Sequence, residues 1–143
     1  MATSHPDPFI DTDVIIRFLT GDDPGKQEQA AKLFNQIEGG RLTVAAPYTV
    51  IADAVYVLSS PRLYNIARHE VAALLTPLVR LPNFRVKDRR VVLAALALYG
   101  SGATKIDFGD AMIVAAMQQS GSGTVYSFDA DFDKLAGTSR QEP

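Results

Sequence analysis

The chain has no cysteine, which excludes a disulfide framework, a thiolate zinc site and a cysteine nucleophile, and fits a reducing compartment. Its only histidines are His5 and His69, and neither stands near partners that would complete a serine triad. No glycine-rich loop runs into Lys-Ser or Lys-Thr, and Gly121-Ser122-Gly123 lacks the setting of a phosphate-cradling loop. The longest apolar run, residues 91–99, falls well short of the roughly 18 residues that span a bilayer. The first residues, Met1 to Pro8, lack the basic and apolar stretches of a targeting signal. The expectation is therefore a soluble, cytoplasmic protein. An excess of basic charge is missing too: 14 Lys and Arg stand against 16 Asp and Glu, a formal net charge of −2. A nucleic-acid partner would have to be held by local patches, for which Arg85, Lys87, Arg89 and Arg90, or Arg17, Arg62 and Arg68, are candidates. Taken singly, each patch also reads as ordinary solvated surface.

What is present suits one compact domain over residues 1–143. Hydrophobic residues make up 47% of the chain, enough for a core, and charged residues 21%, which argues against wholesale disorder. Residues 1–7 read as a flexible lead and residues 136–143 as a polar, loose tail. Between them short apolar runs alternate with helical periodicity. Phe9-Ile10 reads as a strand ending at Asp11, followed by a short helix over 14–19. Pro24 suits the first turn of a helix that Gly39-Gly40 stops, with Ala30, Leu33, Phe34 and Ile37 at helical spacing. Residues 42–45 read as a strand, 47–58 and 65–80 as helices, and 84–86 as a third strand. Asp88 is placed to cap a helix through Tyr99. Residues 107–121 read as the last helix and 124–127 as the last strand. Strands alternating with helices predict an α/β fold: three layers, α/β/α, around a mostly parallel sheet of about four to five strands. Ligands of such sheets bind beyond the carboxyl ends of the strands, where Asp11 and Asp129 fall.

With other chemistries removed, carboxylates remain. Asp11 reads either as a site acid or as a helix cap, although Asp13 fits the cap better by position. Asp53 lies inside the apolar segment 50–58, too deep to cap, and needs a cation, a basic side chain or a water-filled cleft. Asp107 and Asp110 share a helix face; a cap and a first-turn acid favoured by the helix dipole explain them equally well. Asp129, Asp131 and Asp133 are not a calcium loop of the EF-hand kind, because the sixth position is Lys134 and the twelfth Arg140. Turn formation accounts for Asp131 and Asp133, leaving Asp129 as the site candidate. Hard oxygen ligands gathered in one cleft suit Mg²⁺ or Mn²⁺.

Taken in order, four segments resemble the PIN-domain family, and in particular the ribonuclease toxins of VapBC toxin–antitoxin pairs. Phe9-Ile10-Asp11-Thr12-Asp13 resembles the opening strand and first acid. Segment 50–58 resembles the helix with the second acid, placed on Asp53. Asp107-Phe108-Gly109-Asp110-Ala111 resembles the helix start with the third, on Asp110, and Ser127-Phe128-Asp129 the segment with the fourth. Two positions depart: the family usually has Glu where Asp53 stands and Asn where Asp13 stands. The resemblance implies a metal-dependent endoribonuclease acting on single-stranded or looped RNA. It implies Asp11 and Asp110 as primary ligands, Asp53 and Asp129 completing the site directly or through water, and Thr12, Asp13, Asp107 and Ser127 as supports. It also implies a homodimer and a cognate antitoxin. Two other readings stand beside it. One is a phosphatase of the haloacid-dehalogenase type, from Asp11-Thr12-Asp13 and Gly109-Asp110; the other is a PIN-like module that binds RNA or antitoxin without cutting.

Overall fold

The protein is described from a computed structural model, over residues 6–102 and 105–143. The fold is α/β. Six helices run in order: α1 (Thr12–Leu19), α2 (Pro24–Glu38), α3 (Tyr48–Ser59), α4 (Arg68–Arg80), α5 (Arg89–Gly100) and α6 (Phe108–Ser120). Four strands, β1 (Val44–Ala46), β2 (Phe84–Val86), β3 (Thr124–Tyr126) and β4 (Ser139–Gln141), and a 3-10 turn at Ala130–Lys134 complete the described elements.

Local chemistry sets the helix ends. The Asp23 carboxylate accepts a bond from the Lys26 amide at 3.1 Å, with Pro24 in the first turn of α2. Gly121 ends α6 at φ 79°, a left-handed conformation that costs glycine least, and the Ser122 amide returns to the Met117 carbonyl at 2.9 Å. Helix α4 opens at Arg68 rather than Asn65, because Asn65 takes φ 51° and breaks the helical path. Asp88 precedes α5 as expected but does not cap it through its side chain: at φ 59° it turns the chain instead.

The core follows from the apolar stripes. Ile51, Ala54, Val55 and Leu58 recur at helical spacing and all four are buried. Phe34 stacks on Phe18 and meets Phe84 edge-on, joining α2 and α1 to β2. Helices α4, α5 and α6 pack in sequence. Gly100 lets α5 approach α4, since a Cβ there would come within 2.6 Å of the Ala72 Cβ. No helix among the described residues is long and apolar enough to cross a membrane.

The sheet is smaller than the pattern predicted. Strands β1 and β2 pair in parallel, and Phe9 bridges to Ala45 beside them. Strands β3 and β4 form a separate parallel pair. The expected single sheet of about four to five strands is thus, among the described residues, two short pieces. Each strand spans three residues, and β3 is exposed at Thr124 and Tyr126, so it lacks the two buried faces of a central parallel strand. The tail is not loose where β4 runs. Ser139–Gln141 carries the missing partner strand, and the Ser127 amide donates to the Gln141 carbonyl at 2.9 Å. In the lead, residues 1–5 lie outside the described residues, while Asp7 is tied to Arg85 at 3.2 Å.

Candidate active site

Asp11 lies where the Phe9-Ile10 segment meets α1. It, not Asp13, is the cap: its Oδ1 accepts from the Thr12 amide at 2.7 Å. The Thr12 hydroxyl donates to the Val50 carbonyl at 3.3 Å, which ties the start of α1 to α3. Asp53 stands on the outer face of α3, opposite its buried stripe, and is exposed. The water-filled surroundings that a carboxylate in this segment needs are therefore present. Asp11 and Asp53 line one cleft of about 540 Å³, together with Thr12, Asp13, Arg17 and Tyr56.

A second acidic group forms at the start of α6 and the end of β3. Asp107 caps α6, its Oδ1 accepting from the Asp110 amide at 2.8 Å. Asp129 caps the 3-10 turn, accepting from the Asp131 amide at 2.9 Å, and its own amide donates to the Ser127 hydroxyl at 2.9 Å. Asp110 is half-buried between them. Its carboxyl is held above the usual carboxylate range, first by burial and then by the negative charges of Asp107, Asp129 and Asp131.

Asp11 and Asp53 thus share one cleft, while Asp110 and Asp129 interact in another group. Among the described residues no three acidic or histidine side chains stand together so as to hold one metal ion. The segment ahead of Asp11 lies beside β1, whereas Asp129 follows β3, which pairs with β4. The donors suit a hard divalent cation in kind, being carboxylate oxygens, one of them crowded by like charge. Their arrangement as described does not close around one ion.

The basic residues also sort themselves. Arg89 bonds the carbonyls of Leu81 and Phe84, at 3.0 and 2.6 Å, and holds the loop before β2. Arg68 donates to the Tyr99 and Ile106 carbonyls and lies over the Tyr99 ring. Both serve the fold, which thins the two basic patches. Arg17 has a different place, in the cleft with Asp11 and Asp53. It pairs with Asp22 at 3.2 Å, and Asp22 also accepts from the Tyr64 hydroxyl at 2.6 Å and the Thr20 hydroxyl at 3.0 Å. Those bonds, Tyr64's foremost, hold the Asp22 carboxyl below its ordinary range. Asp22 and Tyr64 had no signal in the sequence beyond turn residues between helices; an acid one turn beyond Arg17 was the one available hint.

No curated protein matches the chain. The sequence profile of the PIN domain matches residues 9–138, and PIN domains are generally nucleases that act on nucleic acid. The match takes in Asp11, Asp53, Asp110 and Asp129 and nearly all of the fold, and the chain belongs to the PIN domain family.

Proposed function

We propose that this chain is a divalent-metal-dependent endoribonuclease acting on single-stranded or looped RNA, and the toxin of a VapBC-type pair. The observation that carries it is the drawing together of carboxylates remote in sequence: Asp11 with Asp53 in one cleft, and Asp110 with Asp129. In this reading Asp11, Asp53, Asp110 and Asp129 would hold Mg²⁺ or Mn²⁺, which would supply a water of lowered pKa and a positive charge facing the scissile phosphate. The chain's own part is to orient those carboxylates. The Thr12 amide fixes one oxygen of Asp11 and the Asp131 amide one oxygen of Asp129. Asp107 fixes the first turn of α6 beneath Asp110. The fuller layered sheet of about four to five strands belongs to the same proposal: pairing the open edge of the Phe9 segment with the β3–β4 unit would bring Asp11 toward Asp129. A homodimer, an antitoxin partner and a cytoplasmic setting complete it.

The test uses purified protein free of any protein partner, a mixed RNA pool and a small phosphomonoester, with Mn²⁺ or Mg²⁺ and with chelator. Metal-dependent RNA cutting is expected to fall more than about 100-fold in Asp11→Asn and in Asp110→Asn, since even residues supporting a metal ligand cost roughly 10- to 100-fold. Cutting that survives chelator, or survives both substitutions, overturns the reading. Phosphomonoester turnover without RNA cutting points to a phosphatase, and RNA binding without cutting to a binding module.

A further inference from the structure

The apolar stripe of α3 faces inward, so Asp53 and Tyr56, three residues apart, share the outer face. Tyr56 is 72% exposed and Leu63 57% exposed, yet both line the cleft that holds Asp11 and Asp53. Val57 extends that apolar wall. Arg17 supplies the cleft's positive charge. It is held by Asp22 through Nη1 at 3.2 Å, and among the described residues its other N–H groups meet no acceptor. Asp22 is itself fixed by Tyr64 and Thr20, so the guanidinium is a positioned donor rather than a loose surface charge.

We infer that Tyr56, Leu63 and Arg17 form a subsite for one unpaired nucleotide of the RNA, its base stacked on Tyr56 and its phosphate on Arg17. This rests on the nuclease reading and deepens it. The chemistry selects this occupant. An apolar peptide segment would cover Leu63 and Tyr56 but would desolvate the remaining N–H groups of Arg17 and the carboxylates of Asp13 and Asp53 without offering them partners. A nucleotide offers a neutral π face to the ring and an anionic group to the guanidinium. A base within a duplex has no free face to offer, so the subsite selects single-stranded or looped RNA. Tyr56 is a positioning residue here: it seats the nucleotide beside Asp53 and takes no part in the bond cleavage.

The experiment pairs binding with kinetics. A single-stranded oligoribonucleotide carrying 2-aminopurine is titrated with the protein in chelator, so that no cutting occurs. Its fluorescence is expected to be quenched by the unaltered protein and by Tyr56→Phe, and not by Tyr56→Ala. With metal present, Tyr56→Ala is expected to raise KM roughly 5- to 150-fold, the span of one base–aromatic stack, with kcat unchanged, and Tyr56→Phe to restore KM. Arg17→Gln is expected to lower the slope of log affinity against log salt by about 0.7, one phosphate contact on a single strand. RNA cutting by the unaltered protein with KM and quenching indifferent to Tyr56 overturns the subsite while leaving the nuclease standing, and returns the apolar wall to a protein partner. An unaltered salt slope in Arg17→Gln overturns the phosphate contact. If the unaltered protein fails to cut RNA, the nuclease reading falls; quenching that still depends on Tyr56 then supports the subsite as a binding site, and its absence overturns both.

Discussion

The two acidic groups are held in place by opposite means. Asp11 and Asp53 stand on α1 and α3, directly behind which Ile15, Ile51 and Ala54 are fully buried. Their positions are set by side-chain packing at the density of a protein interior. Asp129 and Asp131 stand between β3 and β4, in a unit that reaches the core through Phe132, Leu135 and the partly buried Val125 and is otherwise stitched by polar bonds. Arg140 is the main stitch: only 16% of its side chain is exposed, and it bonds Asp133 at 3.0 Å, Glu142 at 3.1 Å and the Ser127 carbonyl at 3.1 Å. Asp110 belongs to both, rooted by the buried face of α6 but set electrically by its acidic neighbours. Packing gives one arrangement and resists others, whereas a few surface bonds can be exchanged. The second group is therefore the more adjustable half of the proposed site.

The largest expected effect lies in the packed half. Ile51→Ala removes fully buried methylenes behind Asp53 and is expected to cost about 2–5 kcal/mol of global stability, read from denaturant unfolding. It should lower the stability of both halves together, because α3 belongs to the common core. Arg140→Ala should act locally. Amide exchange at Ser127 and along β4 is expected to quicken about tenfold or more, while α1 and α3 keep their protection. Equal loss of protection in α3 would break the comparison, since it would make the two halves one cooperative unit.

The same division explains what could be read from the sequence. Part of the packed half was legible because its signals are periodic: the stripe of α2 and its proline start appear in the chain order itself, whereas α3 read only as an apolar segment and its stripe came with the structure. The α/β class was legible for the same reason. The strand partnership of the tail was not. Ser139, Arg140 and Gln141 are polar, and their pairing with β3 comes from backbone bonds and from ion pairs with Asp133 and Glu142, none of which leaves an apolar pattern. The roles of Arg17, Asp22 and Tyr64 were hidden because their bonds join separate turns. Single acids could be named from the resemblance, but which of them meet depends on strand pairing, and three-residue strands carry too little pattern to fix it. Asp11 rather than Asp13 takes the cap position because α1 begins two residues earlier than the apolar residues imply.

Asp110→Asn sharpens the comparison with the opposite sign. Burial and three neighbouring negative charges raise the folded-state pKa of Asp110 above its unfolded value of 3.8. The protonated form is thus favoured by folding. Its ionisation costs nothing below the unfolded pKa, and the cost grows as pH rises through the raised folded value. In chelator at neutral pH, Asp110→Asn is expected to melt modestly higher than the unaltered protein. The gap should close as pH falls below the ordinary carboxylate range. A variant that melts lower at neutral pH would mean that Asp110 is held by favourable bonds rather than crowded.

Tyr64→Phe carries the smallest expected effect and probes whether polar bonds also hold the packed half. Asp22 accepts from Tyr64, Thr20 and Arg17, and its folded-state pKa lies below its unfolded value. For a depressed carboxyl the sign is the reverse of that at Asp110: the stabilisation is fully present above the unfolded pKa and is lost as pH falls through the folded one. Its size is limited because half of the Asp22 side chain is in water, where solvent screens the charges. Removing the Tyr64 hydroxyl takes away the largest of the three contributions. The Asp22 carboxyl, followed by its carbon chemical shift, is then expected to titrate nearer the ordinary value. The melting temperatures of variant and unaltered protein should differ slightly at neutral pH and converge in acid. A loss of stability rivalling that of Ile51→Ala would show that the rim bonds support α1 as much as the core does. The contrast between a packed half and a stitched half would then fail. A small, acid-sensitive difference keeps it, because the rim bonds would only aim Arg17 while packing holds the helices.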